Sequence, residues 1–132
     1  MKLQIATIFL VCCSLSHAQV TVADLLKHYQ QDLASNPRSS LSHYRAGRIF
    51  FDYHDYQNAA NEFRESINGD GQPGWTQVWS HIYLGQIFDA TGQRDRALHE
   101  YQLAIDTRDN TRDAQEEAAR YMQFQFSSAA HR

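Results

Sequence analysis

The sequence predicts an all-α fold, a short solenoid of about six antiparallel helices, and three observations carry that expectation. Two segments 38 residues apart, His43 to Ile67 and His81 to Ile105, echo one another. Apolar residues recur at helical spacing in both copies, as in Ala46, Ile49, Phe50 and Tyr53 and then Ala59, Ala60, Phe63 and Ile67. The only prolines, Pro37 and Pro73, fall between the helical stretches, where a missing N–H does no harm. Aligned over 25 positions, the copies share seven residues: His43/His81, Gly47/Gly85, Ile49/Ile87, Phe50/Phe88, Ala59/Ala97, Glu62/Glu100 and Ile67/Ile105. Ordinary residue usage would give roughly one or two such matches.

Taken from the start, Lys2, the apolar run from Ile5 to Leu15 and the small residues of Ser16-His17-Ala18 have the pattern of a cleaved secretory leader over 1–18. The run is about half the roughly 20 residues that a membrane-spanning helix needs. An exported protein, periplasmic or secreted, is therefore expected, with residues 19–132 as its domain. The alternative is a lipid anchor at Leu10-Val11-Cys12-Cys13, although neither Val11 nor Cys12 is the small residue such a site carries before its cysteine. Both cysteines lie in the leader, so the domain is expected to hold together without a disulfide.

The first helix is expected over 22–34 behind Thr21, the next two over 40–53 behind Ser40 and over 56–68, and then 76–91 behind Thr76, 94–106, and 111–126 behind Asn110. These group into a half-repeat (21–38), two repeats (40–71 and 76–109) and a final helix (111–126). Gly47 and Gly85 fall in helix interiors, where glycine is less favourable than alanine by about 0.5 to 1 kcal/mol. Its recurrence predicts a close crossing by the second helix of each pair, with Ala59 and Ala97 as the small residues facing the glycines.

The small residue of the first helix, the aromatic three residues on (Phe50, Phe88), and the alanine and aromatic of the second helix (Ala59 and Phe63, Ala97 and Tyr101) resemble the tetratricopeptide repeat. Outside the two copies, Tyr29 lies 34 residues before Phe63, and Ala118, Ala119 and Met122 lie 34 after Leu84, Gly85 and Phe88. The resemblance implies helix pairs of about 34 residues stacked in a right-handed solenoid. This chain departs from that spacing by four residues, in the glycine-rich stretch 68–75, which is expected to form a longer loop or an extra helical turn. His43 and His81 replace a bulky family residue, and His54 stands where the second copy has Gly92.

The same resemblance implies that the first helix of each pair lines a concave wall. Leu41, Tyr44, Arg48, Phe51 and Asp52 would come from one helix, Trp79, Ile82, Gln86 and Asp89 from the next, and Glu116, Arg120 and Gln123 from the last. Aromatic and arginine side chains dominate binding hot spots, and an arginine flanked by aromatics suits a carboxylate. Tyr44, Phe51 and Trp79 would equally suit a core. Composition points away from other functions. With 11 Lys and Arg against 15 Asp and Glu once Lys2 leaves with the leader, there is no basic face for nucleic acid. No two histidines sit at metal-ligand spacing beside a carboxylate, and there is no nucleophile turn or phosphate-cradling loop. The expectation is a non-enzymatic module with neither metal nor cofactor, binding a protein or extended peptide. The alternative is an assembly role, as a homo-oligomer or an accessory subunit of an envelope complex, through an end carrying Tyr121, Met122, Phe124 and Phe126.

Overall fold

A computed structural model of the chain describes residues 20–131, so the expected leader lies outside the described residues. Six α-helices follow in order, α1 (Val22–Ser35), α2 (Ser40–Asp52), α3 (Tyr56–Asn68), α4 (Trp75–Ala90), α5 (Arg94–Asp106) and α6 (Ala114–Gln123), with a 3-10 turn at Ser128–His131. There is no strand among the described residues, and the all-α expectation holds. Each helix packs on the next, and α4 also lies beside both α2 and α6. That places α2, α4 and α6 side by side in one layer, backed by α3 and α5.

The helix boundaries follow from capping chemistry. Thr21 forms a reciprocal box with Asp24: its hydroxyl accepts from the Asp24 N–H, and the Asp24 carboxylate accepts from the Thr21 N–H. For α2 the cap is Ser39 rather than the expected Ser40, because Ser40 has other partners. Its hydroxyl accepts from the Gly71 N–H at 2.9 Å, and its carbonyl accepts from Ser66 Oγ at 2.8 Å. Asp55 caps α3 through the Asn58 N–H. Thr76 does not cap α4; it lies inside the helix and donates to the Pro73 carbonyl at 2.8 Å. His54 (φ 59°) and Gly92 (φ 75°) occupy the left-handed region at equivalent turns. Histidine enters that region less readily than glycine but is among the side chains that do.

The four extra residues form a loop tied to the start of α2. Asp70 accepts from the backbone N–H groups of Ser40 (3.1 Å) and Gln72 (3.0 Å), and Arg38 donates to the Gly69 carbonyl. Those backbone donors, from Gln72 first and then Ser40, hold the Asp70 carboxyl below the usual range. The last helix is shorter than the expected 111–126. Arg108, Arg112 and Asp113 all take positive φ, delaying its start to Ala114, and the chain turns extended at Phe124.

The two glycines do mark close approaches, but the facing group is the aromatic ring one turn beyond the expected alanine. A Cβ built on Gly47 would meet ring carbons of Phe63 at 2.9 Å, and one on Gly85 would meet Tyr101 Cδ1 at 2.6 Å. Ala59 and Ala97 are fully buried nearby and let the second helices come in close. Phe63, Tyr101, Val78 and Ile82 are completely enclosed at the centre of the core. Ala119, which aligns with Gly85, is exposed, because among the described residues no second α-helix after α6 covers it.

A second repeated contact joins the helices of each pair. His43 Nδ1 lies 2.8 Å from Glu62 Oε2, and His81 Nδ1 lies 2.8 Å from Glu100 Oε2. All four side chains are among the seven identities, which therefore encode an interhelical bond as well as apolar packing.

Replacing Gly47 with leucine is expected to overpack the Phe63 contact and lower stability by about 1 to 3 kcal/mol. Urea denaturation measures this, and an unchanged midpoint would contradict the packing. A double-mutant cycle on His81→Ala and Glu100→Ala should return a coupling of about 0.5 to 1.5 kcal/mol; strictly additive losses would mean the bond contributes nothing.

Candidate partner-binding groove

The layer of α2, α4 and α6 presents a groove floored by aromatic residues of its central helix. Helix α4 is apolar around nearly its whole circumference because neighbours pack on most of its sides. Trp79 and Tyr83, one turn apart, remain half-buried at the surface of this layer. Tyr83 stacks on Phe63 with ring centres 5.0 Å apart and planes at 6°, and meets Phe51 edge-on at 5.0 Å. Trp79 is fixed by its indole N–H, which donates to the Thr111 carbonyl at 2.9 Å.

Two cavities open on this floor and share Trp79 and Tyr83. The larger, about 370 Å³, lies towards α6 and is walled by Phe51, Gln86, Tyr121 and Phe126, with Asp52 and Glu117 also lining it. The smaller, about 170 Å³, lies between Tyr44, Arg48 and Arg112. There the Arg48 guanidinium carbon sits 4.9 Å from the Tyr83 ring centre, while Arg112 stacks over Trp75 at 4.6 Å. Arg48 Nε is buried without a hydrogen-bond partner. Burial is the largest influence on Arg48 and opposes its charge, but Tyr83, a side-chain hydrogen bond with Tyr44 and the Asp52 carboxylate outweigh it and hold the guanidinium more firmly protonated than usual. The smaller cavity is thus a cationic, aromatic-walled recess, and the unpaired Nε belongs to one of its lining residues.

Of the wall residues expected from sequence, the structure brings Tyr44, Arg48, Phe51, Asp52, Trp79 and Gln86 to the groove. Tyr44 is 5% exposed and is at once core and cavity wall, so the two readings of the aromatic stripe meet in one residue. Leu41 is half-buried and lines neither cavity. Ile82 is wholly enclosed in the core. Asp89 is buried and engaged internally: Arg94 donates to both carboxylate oxygens, at 3.0 and 2.8 Å, and the Tyr101 hydroxyl donates at 3.0 Å. Glu116, Arg120 and Gln123 are exposed, and Arg120 pairs with Glu117. At the chain's end Tyr121 and Phe126 are buried and Met122 is half-buried, which leaves Phe124, 67% exposed, as the outward aromatic.

Sequence reasoning missed Tyr83 and Arg112. Tyr83 follows Trp79 at i+4 and was legible as the same stripe. Of the expected α4 stripe, Trp79 and Gln86 line the groove while Ile82 turns into the core and Tyr83 takes its place, since an all-round apolar helix gives no periodicity to fix its face. Arg112 lies in the positive-φ turn before α6 and carries no periodic signal. Among the described residues no cluster of His, Cys, Asp or Glu is arranged to hold a metal ion, and no helix is long and apolar enough to cross a membrane.

Burial raises the phenol pKa of Tyr83, Tyr101 and Tyr121, reinforced at Tyr101 by the adjacent Asp89 carboxylate. Unfolding would release them to ordinary phenols that ionise near pH 10. The folded state therefore gains most below pH 10 and loses that advantage as pH rises towards the folded pKa values. Ultraviolet titration is expected to show these three phenols still protonated above pH 10 until the chain unfolds; their ionisation near pH 10 in folded protein would contradict the burial. Compared with known proteins, the chain matches no family profile, and no curated protein matches it in sequence.

Proposed function

We propose that this chain is an exported, non-enzymatic binding module of the tetratricopeptide-repeat type, which takes an extended segment of a partner protein along the α2–α4–α6 groove. The observation that carries this reading is the smaller cavity, where Arg48 and Arg112 flank aromatic walls and Arg48 Nε has no bond within the chain. A partly buried guanidinium with a free donor suits a carboxylate, which can accept paired, charge-assisted hydrogen bonds. The aromatic floor offers large, rigid apolar area to the residues that flank that carboxylate. The equivalence of Gly47–Phe63 with Gly85–Tyr101, and of His43–Glu62 with His81–Glu100, supports the repeat reading, since two copies of one unit make the same two contacts. The leader pattern supports export.

The test uses immobilised full chain and two matched panels of extended peptides, one with Asp or Glu beside an apolar residue and one with Asn or Gln instead. Acidic peptides are expected to bind preferentially and to weaken with added salt. Arg48→Ala should reduce their affinity by about 10-fold to 100-fold, the scale of a hydrogen bond to a charged group, with helicity unchanged by circular dichroism. Equal retention of neutral peptides, or full retention by folded Arg48→Ala, would overturn the proposal.

A further inference from the structure

The segment after α6 packs across the α6 end of the groove, as a bound peptide would, and walls the larger cavity. Helix α6 stops at Gln123, and Phe124 turns extended (φ −122°, ψ 113°). Side chains then alternate, as an extended strand requires: Phe124 points outward, 67% exposed, and Phe126 points inward, 6% exposed. The Phe126 ring packs between Phe51 of α2, at 6.0 Å, and Tyr121 of α6, at 5.7 Å. Its backbone N–H donates to Asp89 Oδ2 at 3.0 Å, and Gln125 Nε2 donates to the Asp89 carbonyl at 3.3 Å. The root of the segment is clamped, because Arg94 donates to the carbonyls of Tyr121 and Met122 at 2.9 and 2.8 Å.

We infer that residues 124–128 are a cis occupant of the groove, and that a partner segment carrying an aromatic residue binds by displacing Phe126. This rests on the groove being the binding site and specifies what it selects: an extended segment with an aromatic side chain towards α6 and an acidic one towards Arg48. The two cavities share Trp79 and Tyr83, so a single extended segment running along them meets both ends. Phe126 and Ser128 of the tail line the cavity at the α6 end, and no tail residue lines the cavity at Arg48. Tethering gives the cis segment a high effective concentration, so the resting chain rejects weak aromatic ligands. A ligand that also engages Arg48 makes a contact the tail does not, and that difference in affinity shifts the population towards the open groove.

The experiment compares the full chain with its Phe126→Ala variant, using as probe a synthetic peptide of residues 122–129 and following tryptophan fluorescence. The variant is expected to bind the probe at least about 10-fold more tightly than the unaltered chain, and a probe carrying F126A should bind neither. Equal affinities, or no binding to the folded variant, would overturn the inference. Hydrogen exchange on the unaltered chain decides the matter even if the variant does not fold. The Phe126 amide should exchange by local opening, at least about 10-fold faster than the most protected amides of α4; matched protection would make the tail a fixed part of the core and end the inference. If Arg48→Ala abolishes acidic-peptide binding while these measurements fail, the groove reading stands without the cis occupant. If acidic peptides are not bound at all, the groove reading fails too.

Discussion

The carboxylate of Asp89 is the constraint around which the second half of the molecule is arranged. Its side chain has no solvent exposure, and a buried charge is tolerated only when paired and hydrogen-bonded. Three residues meet that requirement: Arg94 at the start of α5, Tyr101 further along the same helix, and the backbone of Phe126 beyond α6. Arg94 then extends the network to the last carbonyls of α6. Helices α4, α5 and α6 are thereby fixed to one another through a single anion, on which the terminal segment rests by one backbone bond. Apolar contact alone would permit small slides between these helices; oriented donors do not, because each has one geometry that satisfies it.

The first repeat solves the same positions without charge. Asp89 aligns with Phe51, Arg94 with Tyr56 and Tyr101 with Phe63. Where the second repeat has a buried ion pair, the first has an aromatic pair, Phe51 against Tyr56 at 5.7 Å. Phe63 lacks the hydroxyl that Tyr101 uses, and no carboxylate stands at Phe51 to receive one. All three differences change together, so the two copies differ in residue at these places while their packing is shared. The unvarying parts are the glycine under the ring and the histidine-glutamate bond.

Helix count and order were legible because apolar spacing and breakers report on local geometry, and five of the six expected helices match within one or two residues. The sixth did not, because Arg108, Arg112 and Asp113 adopt a left-handed backbone that their side chains do not announce. The candidate site was half legible. Arg48, Phe51 and Trp79 lie on amphipathic or semi-exposed stripes, whereas the face of α4 is ambiguous in a sequence that is apolar all round. The family resemblance implies Asp89 on the wall; its real partners are 5, 12 and 37 residues away, and no periodicity connects them.

Packing and recognition are joined here by a short chain of contacts. Gly47 lacks a side chain, so the Phe63 ring reaches the α2 backbone. Phe63 then carries Tyr83 stacked almost parallel on its outer face. Tyr83 in turn supports the Arg48 guanidinium from below, and Arg48 returns to α2 one residue after the glycine where the sequence of contacts began. The glycine that marks the repeat therefore also sets the height of the cation in the groove. A larger residue at position 47 would push the ring outward, carry Tyr83 with it and narrow the recess between Arg48 and Arg112. Stability and ligand geometry at this site follow from the same missing side chain.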